Sequence, residues 1–169
     1  MKDRTTGTSR RARASLPAAL LTALSIVTLS ACSNAVDVDA PRPPAADERA
    51  CRALLDALPD SLDGDEERET DPADALARAW GDPATIVTCG VDMPAAFNDY
   101  SACDEVNGVG WFIDPDQAGS PDSPLSMTTI GITPNVRLDV PAERRPPAGV
   151  LSEVSTAVLA HLKQVKRCV

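Results

Sequence analysis

Leu125-Ser126-Met127-Thr128-Thr129-Ile130-Gly131-Ile132, followed by Thr133-Pro134-Asn135 and then Val136-Arg137-Leu138-Asp139-Val140, reads as two β-strands joined by a turn. Val136, Leu138 and Val140 point one way and Arg137 and Asp139 the other, because successive side chains of a strand alternate between faces. That alternation predicts an antiparallel hairpin in a sheet with one buried and one wet face.

Upstream, Val106 to Ile113 reads as a strand containing Trp111, with Asn107-Gly108 as a turn signal inside it, and Thr85 to Val91 as a β-branched strand. Between them, Asp92 to Cys103 is a connection with room for one helical turn. Ala73 to Trp80 predicts a short helix, stopped by Gly81-Asp82-Pro83. Asp60 to Asp71 is dense in charge and predicts a solvated loop, with a short edge strand near Arg68. Cys51, Leu54, Leu55 and Leu58 fall at i, i+3, i+4 and i+7, so a helix is expected from Asp47 to Leu58, capped by Asp47 and ended by Pro59. Downstream, Leu151, Val154, Val158, Leu162 and Val165 form one stripe of a helix expected over Val150 to Lys166. The class is therefore α+β: a small, mostly antiparallel sheet with an N-terminal and a C-terminal helix.

The N-terminal region has a different grammar. Lys2, Arg4, Arg10, Arg11 and Arg13 precede an apolar run from Leu16 to Leu29, which is too short for a membrane span and suits an export signal. Leu29-Ser30-Ala31-Cys32 resembles a bacterial lipobox. The resemblance implies that residues 1–31 are removed and that Cys32 carries lipid chains; two acyl chains anchor stably where one binds only marginally. Ser33 to Ala46, with Pro41, Pro43 and Pro44 among alanines, reads as an extended tether. The expected organisation is a signal over 1–31, a lipid-anchored tether over 32–46 and one extracytoplasmic domain over 47–169. The competing reading is an ordinary cleaved signal with a chance cysteine.

Loss of Asp3 and the five basic residues with the signal would take the formal charge from −9 to −13. Phosphate backbones and anionic headgroups repel such a surface, which excludes nucleic acid as a partner. Solvation of an exported domain explains the acidity, and attraction to a basic partner is its alternative.

Cys51-x-x-Leu54 with Leu58-Pro59, Ala79-Trp80-Gly81-Asp82-Pro83, Cys89-Gly90-Val91 and Val106-Asn107-Gly108-Val109-x-Trp111 resemble, in this order, a family of actinobacterial lipoproteins that constitutes a domain of unknown function. The resemblance implies an envelope location and a domain covering nearly all of the mature chain. It implies no catalytic residue.

Four cysteines remain after Cys32, an even number suited to disulfides in an oxidising space. No Cys-x-x-Cys occurs, which argues against a thiol exchanger or a zinc knuckle. Of three possible connectivities, Cys89 with Cys103 and Cys51 with Cys168 is the expectation, contributing about 3 and about 5 kcal/mol in the chain-entropy model.

Residues capable of catalysis are few. His161 is the only histidine and sits at the edge of the last helix's stripe, where a partly buried structural residue or a surface residue is expected rather than a general base. No Gly-x-Ser-x-Gly elbow occurs. Asp114-x-Asp116 with Gly119 lacks the later oxygen ligands of a calcium loop and reads as a turn. Asp60, Asp63, Asp65, Glu66, Glu67 and Glu69 supply carboxylates, but an exposed run does not fix their spacing. Trp80, Trp111 and Asn107 could line a ligand groove, the alternative being core anchors and a tight turn. No catalytic residue, metal ligand or cofactor is assigned. Two classes follow: a lipid-anchored binding or accessory protein of the bacterial envelope, taking an envelope protein or small ligand, or a carboxylate-dependent hydrolase of cell-wall glycan.

Overall fold

A computed structural model describes residues 34–168; residues 1–31, expected as an export signal, and Cys32 lie outside the described residues. In chain order the elements are β1 Val36–Asp37, α1 Ala45–Ala57, β2 Ser61–Leu62, β3 Asp65–Arg68, β4 Thr70–Asp71, β5 Ala77–Trp80, β6 Thr85–Val91, β7 Asp104–Val106 and β8 Val109–Ile113. There follow α2 Pro115–Ala118, β9 Leu125–Ile130, β10 Ile132–Thr133, β11 Asn135–Val140, a 3-10 turn at Ala142–Arg144, α3 Ala148–His161 and β12 Lys163–Gln164.

Eight strands form one sheet in the order β2-β3-β5-β6-β11-β9-β8-β7, every neighbouring pair antiparallel. The hairpin of β9 and β11 sits within it, with Leu138 opposite Met127 and Val140 opposite Leu125. Val136, Leu138 and Val140 are buried with Val87, Met127 and Trp111 against α1 and α3, which together cover one face. The fold is α+β with an antiparallel sheet and two disulfides, as the pattern of strands and flanking helices predicts.

The second face is wet only in part. Arg137 and Asp139 pair there at 2.8 Å, each about one-third exposed, and Ser126 Oγ donates to Asp139 Oδ1. Their neighbours Thr88 and Thr128 are buried, and Phe97, from the connection before β7, packs edge-on against Phe112 at 5.4 Å. The connection thus lays a ring against this face at Phe112.

Four expectations are corrected by pairing. Residues 77–80 form a strand between β3 and β6, not the end of a helix, because neighbouring strands engage both of their edges and tertiary pairing outweighs the helix preference of alanine. Val106 to Ile113 is two strands folded back at Asn107-Gly108, whose φ of 49° and 82° suit a type I′ turn. Helix α3 stops at His161 rather than Lys166: Leu162 turns extended, Lys163–Gln164 pair with β10, and Val165, expected in the apolar stripe, is 59% exposed. The proline-rich segment is not a free tether throughout. Val36–Asp37 pair with Thr70–Asp71, Val38 is buried, and α1 already begins at Ala45, so Asp47 lies inside its first turn, where a carboxylate favours the helix dipole.

The disulfides also differ from expectation: they join Cys51 to Cys89 and Cys103 to Cys168. The sheet itself is the reason. Cys89 shares the helix-covered face with Val87, and α1 brings Cys51 to it. Gly110 lies between core-facing Val109 and Trp111 and so faces the opposite side, where a Cβ on it would stand 2.6 Å from the sulfurs of both Cys103 and Cys168. A Cys89–Cys103 bond would have to pass through the sheet. The observed bonds close separations of 38 and 65 residues, worth about 4 kcal/mol each in the chain-entropy model.

Candidate functional site

Arg78 organises the site. It shares the inner face of β5 with Trp80, and its guanidinium lies 5.1 Å from the indole centre. One amino group donates to the carbonyls of Leu55 and Leu58 at 2.8 and 2.5 Å, which ends α1 with a cation that the helix's own last turn lacks. The rest of the fork grips Glu67 at both carboxylate oxygens and reaches Asp60 at 3.5 Å. The hydrogen bonds with Glu67 raise the Arg78 pKa above its ordinary value, overcoming the opposing effect of burial.

The acidic run therefore does not form a loose loop. Most of it is the β2–β3 hairpin, with Asp65 bound to Arg144 at 2.6 Å and Glu67 to Arg78. Paired in this way, Glu67 is a strut and drops out of the candidates for acid–base work.

A cleft of about 450 Å³ opens beside this strut, between α1 and the β3–β5 edge. Arg52 and Asp56, one turn apart on α1, stand on one wall and Glu69 and Thr70 on another, with Ala73, Ala75 and Ala77 supplying small side chains that leave the space open. Arg52 is half exposed and pairs along its helix with Glu48 at 2.8 Å. A smaller cleft of about 120 Å³ shares Arg52 and Ala75 and is walled by Pro41 to Pro43, the stretch expected as tether. Guanidinium, carboxylate and hydroxyl groups around a short apolar floor suit a small ligand or peptide segment carrying both signs of charge. In sequence this cleft is hidden, because the helix expected over Ala73 to Trp80 takes Arg78 off the strand that lines it.

The residues weighed as either groove lining or core anchors and a turn lie elsewhere. Trp80 and Trp111 are both 0% exposed; their indole N–H groups donate to Pro59 O and to Ser155 Oγ, so both are core anchors. Asn107 donates to Ser152 O and Oγ and ties the β7–β8 turn to α3. Asp114 caps α2 by accepting from the Asp116 amide at 2.9 Å. His161 is exposed at the end of α3. Among the described residues no group of three or more His, Cys, Asp or Glu is placed to hold a metal ion, and no helix is long and apolar enough to cross a membrane.

A family model described as "Protein of unknown function (DUF3515)" matches residues 14–167. The chain belongs to DUF3515. No curated protein and no solved structure matches it. In this DUF3515 chain the match runs from the apolar run of the N-terminus to the residue before Cys168, and so takes in both disulfide-linked faces of the sheet except that last cysteine.

Proposed function

We propose that this DUF3515 protein is an actinobacterial lipoprotein, held by Cys32 at the outer face of the cell membrane, that binds a small ligand or an envelope protein rather than transforming one. The cleft between α1 and the β3–β5 edge carries the reading. It combines room for a ligand with both signs of charge, while Glu67 in its lining is committed to Arg78. Support for the location comes from the basic, apolar and small-residue parts of the N-terminus and from the lipobox resemblance of Leu29-Ser30-Ala31-Cys32.

Two measurements test the two halves. Cells fed an alkyne fatty acid should label the wild-type chain and leave Cys32→Ala unlabelled and outside the membrane fraction; equal labelling of both refutes the anchor. Native mass spectrometry of chain released in mild detergent should show a non-covalent adduct that is lost when the cleft is filled by Ala75→Trp. An adduct-free wild type, or one whose adduct survives the filling, refutes the cleft.

A further inference from the structure

The segment expected as a tether is laid on the domain from Asn34 onward. Arg68 donates from one amino group to Asn34 O and from the other to Gly81 O at 3.0 Å. The Val36 and Val38 amides donate to Glu69 O and Asp71 O at 2.8 and 2.9 Å, and the Val38 side chain is buried. Pro43 lies over Gly90, where a Cβ would stand 2.8 Å from its ring. Chain running from Cys32 to Asn34 spans at most about 7 Å, whereas release of the whole segment as far as α1 would allow about 45 Å.

That length decides what the neighbouring surface meets. A diacylated Cys32 sits where hydrocarbon gives way to headgroups, a layer about 5–7 Å deep on each side of a bilayer. Asn34 then stands at the outer limit of that layer. Arg68, Glu69 and Thr70, which hold Asn34 and Val36, also line the cleft of about 450 Å³, so the cleft wall nearest the anchor stands at headgroup level. Charge selects the headgroup. Over residues 34–44 and 70–74, Asp37, Asp39, Asp71 and Asp74 are opposed by Arg42 alone, an edge that repels anionic lipid. The cleft lining is balanced instead, with Arg52, Arg68 and Arg78 against Asp56, Glu67 and Glu69. Arg78 and Glu67 are committed to each other. Arg68 is bound to neutral carbonyls and keeps its charge for a phosphate, with half-exposed Arg52 on the α1 wall. Asp56 and Glu69 are in no ion pair among the described residues and suit an ammonium.

We infer that β1 is a leash that seats the β1–β4 edge on the lipid surface, and that the cleft takes the zwitterionic headgroup of a lipid from that same bilayer. The inference rests on the anchor and the cleft proposed above and names the source and charge of the ligand. A headgroup can enter while its acyl chains stay in the bilayer, so the apolar burial of those chains is not forfeited on binding. Anchoring the cleft in the layer that holds its ligand also raises the effective concentration of that ligand without any new contact.

The test uses the full-length chain carrying its lipid, in vesicles of equal parts phosphatidylethanolamine and phosphatidylglycerol. A photoreactive phenylalanine replaces exposed Ala73 in the cleft lining or, as a control, exposed Asp71 on the same edge outside it. Both positions should give lipid adducts, and the preference for phosphatidylethanolamine at position 73 should exceed that at position 71 severalfold. Asp56→Asn with Glu69→Gln should abolish this difference. An insert of about twelve Gly and Ser residues after Ser33 lengthens the leash and leaves the cleft intact; it should lower the lipid yield at position 73 on the order of tenfold. No lipid adduct, equal preference at the two positions, or a yield indifferent to the insert overturns the proposal. Fatty-acid labelling and native mass spectrometry keep the failures apart. A lipidated chain that holds a cleft adduct yet fails here loses this inference alone, and a chain without lipid loses the anchor and this inference together.

Discussion

The indole N–H of Trp111 donates to Ser155 Oγ at 3.0 Å, joining β8 to α3 where both residues are fully buried. The bond lets a large aromatic fill the core without leaving its polar atom unpaired, and it gives a reason for serine on the buried stripe of a helix. Ser155→Ala removes the acceptor and keeps the indole. The expected cost is about 1–3 kcal/mol, read as a lower denaturant midpoint with unchanged slope. A variant as stable as wild type would show that the indole has another partner.

Arg78→Met tests the strut between β5, β3 and the end of α1. It strips the carbonyls of Leu55 and Leu58 of their cation and leaves Glu67 unpaired, for an expected loss of about 1–3 kcal/mol. Arg78→Lys should recover little, because an ammonium lacks the planar fork that meets a carboxylate and two carbonyls together. The folded-state pKa of Arg78 is raised, so with Glu67 ionised its contribution is complete from neutral pH up to its unfolded value and is lost only as pH rises through the folded one. The stability gap between wild type and Arg78→Met should therefore stay level from neutral to mildly alkaline pH and close only in strong alkali.

Local pattern and tertiary pairing divided the legibility of this chain. Thr85–Val91 could be read from its β-branched run alone, and the β9–β11 hairpin from the alternation of Val136, Leu138 and Val140, because each signal lies within the strand and needs no distant information. Ala77–Trp80 could not, since alanines favour a helix until β3 and β6 engage both edges. The end of α3 was hidden similarly: its apolar spacing continues to Val165, but pairing with β10 and the reach of Cys168 to Cys103 turn the chain out of the helix. The disulfides depended on which face each cysteine occupies, which requires the register of every strand between them. The cleft was the least visible part, for it is space left between α1 and a hairpin built from a charged run that gives no strand signal.

Non-reducing digestion followed by mass spectrometry should recover Cys51 linked to Cys89 and Cys103 linked to Cys168. Replacing either pair with alanine should cost about 4 kcal/mol, since the two loops enter the unfolded-state entropy with similar logarithms. Linkage of Cys89 to Cys103 would be incompatible with the sheet register described above.

His161→Ala should change stability by less than about 1 kcal/mol, since the side chain is exposed and contributes at most what a basic group in the last turn of a helix does. Loss of cellular function at an unchanged melting temperature would instead move the search for a site to the end of α3.

Gly110→Ala offers a sharper test of the outer disulfide, because its sign should depend on two other residues. Gly110 lies in β8 without the positive φ that only glycine adopts easily, so its backbone accepts a side chain. What excludes one is sulfur: the added Cβ would stand 2.6 Å from the sulfurs of both Cys103 and Cys168, whereas its 3.5 Å approach to Ile130 is ordinary contact. In the oxidised protein the substitution should cost about 1–3 kcal/mol through displacement of the disulfide. In a Cys103→Ala, Cys168→Ala background the obstruction is gone, and alanine in a strand should be neutral or stabilise by up to about 1 kcal/mol relative to glycine. Denaturation curves for the four proteins form a cycle whose coupling should exceed about 1 kcal/mol. Additive costs would mean that the disulfide does not lie over Gly110, and the division of the two cysteine pairs between opposite faces of the sheet would fail with it.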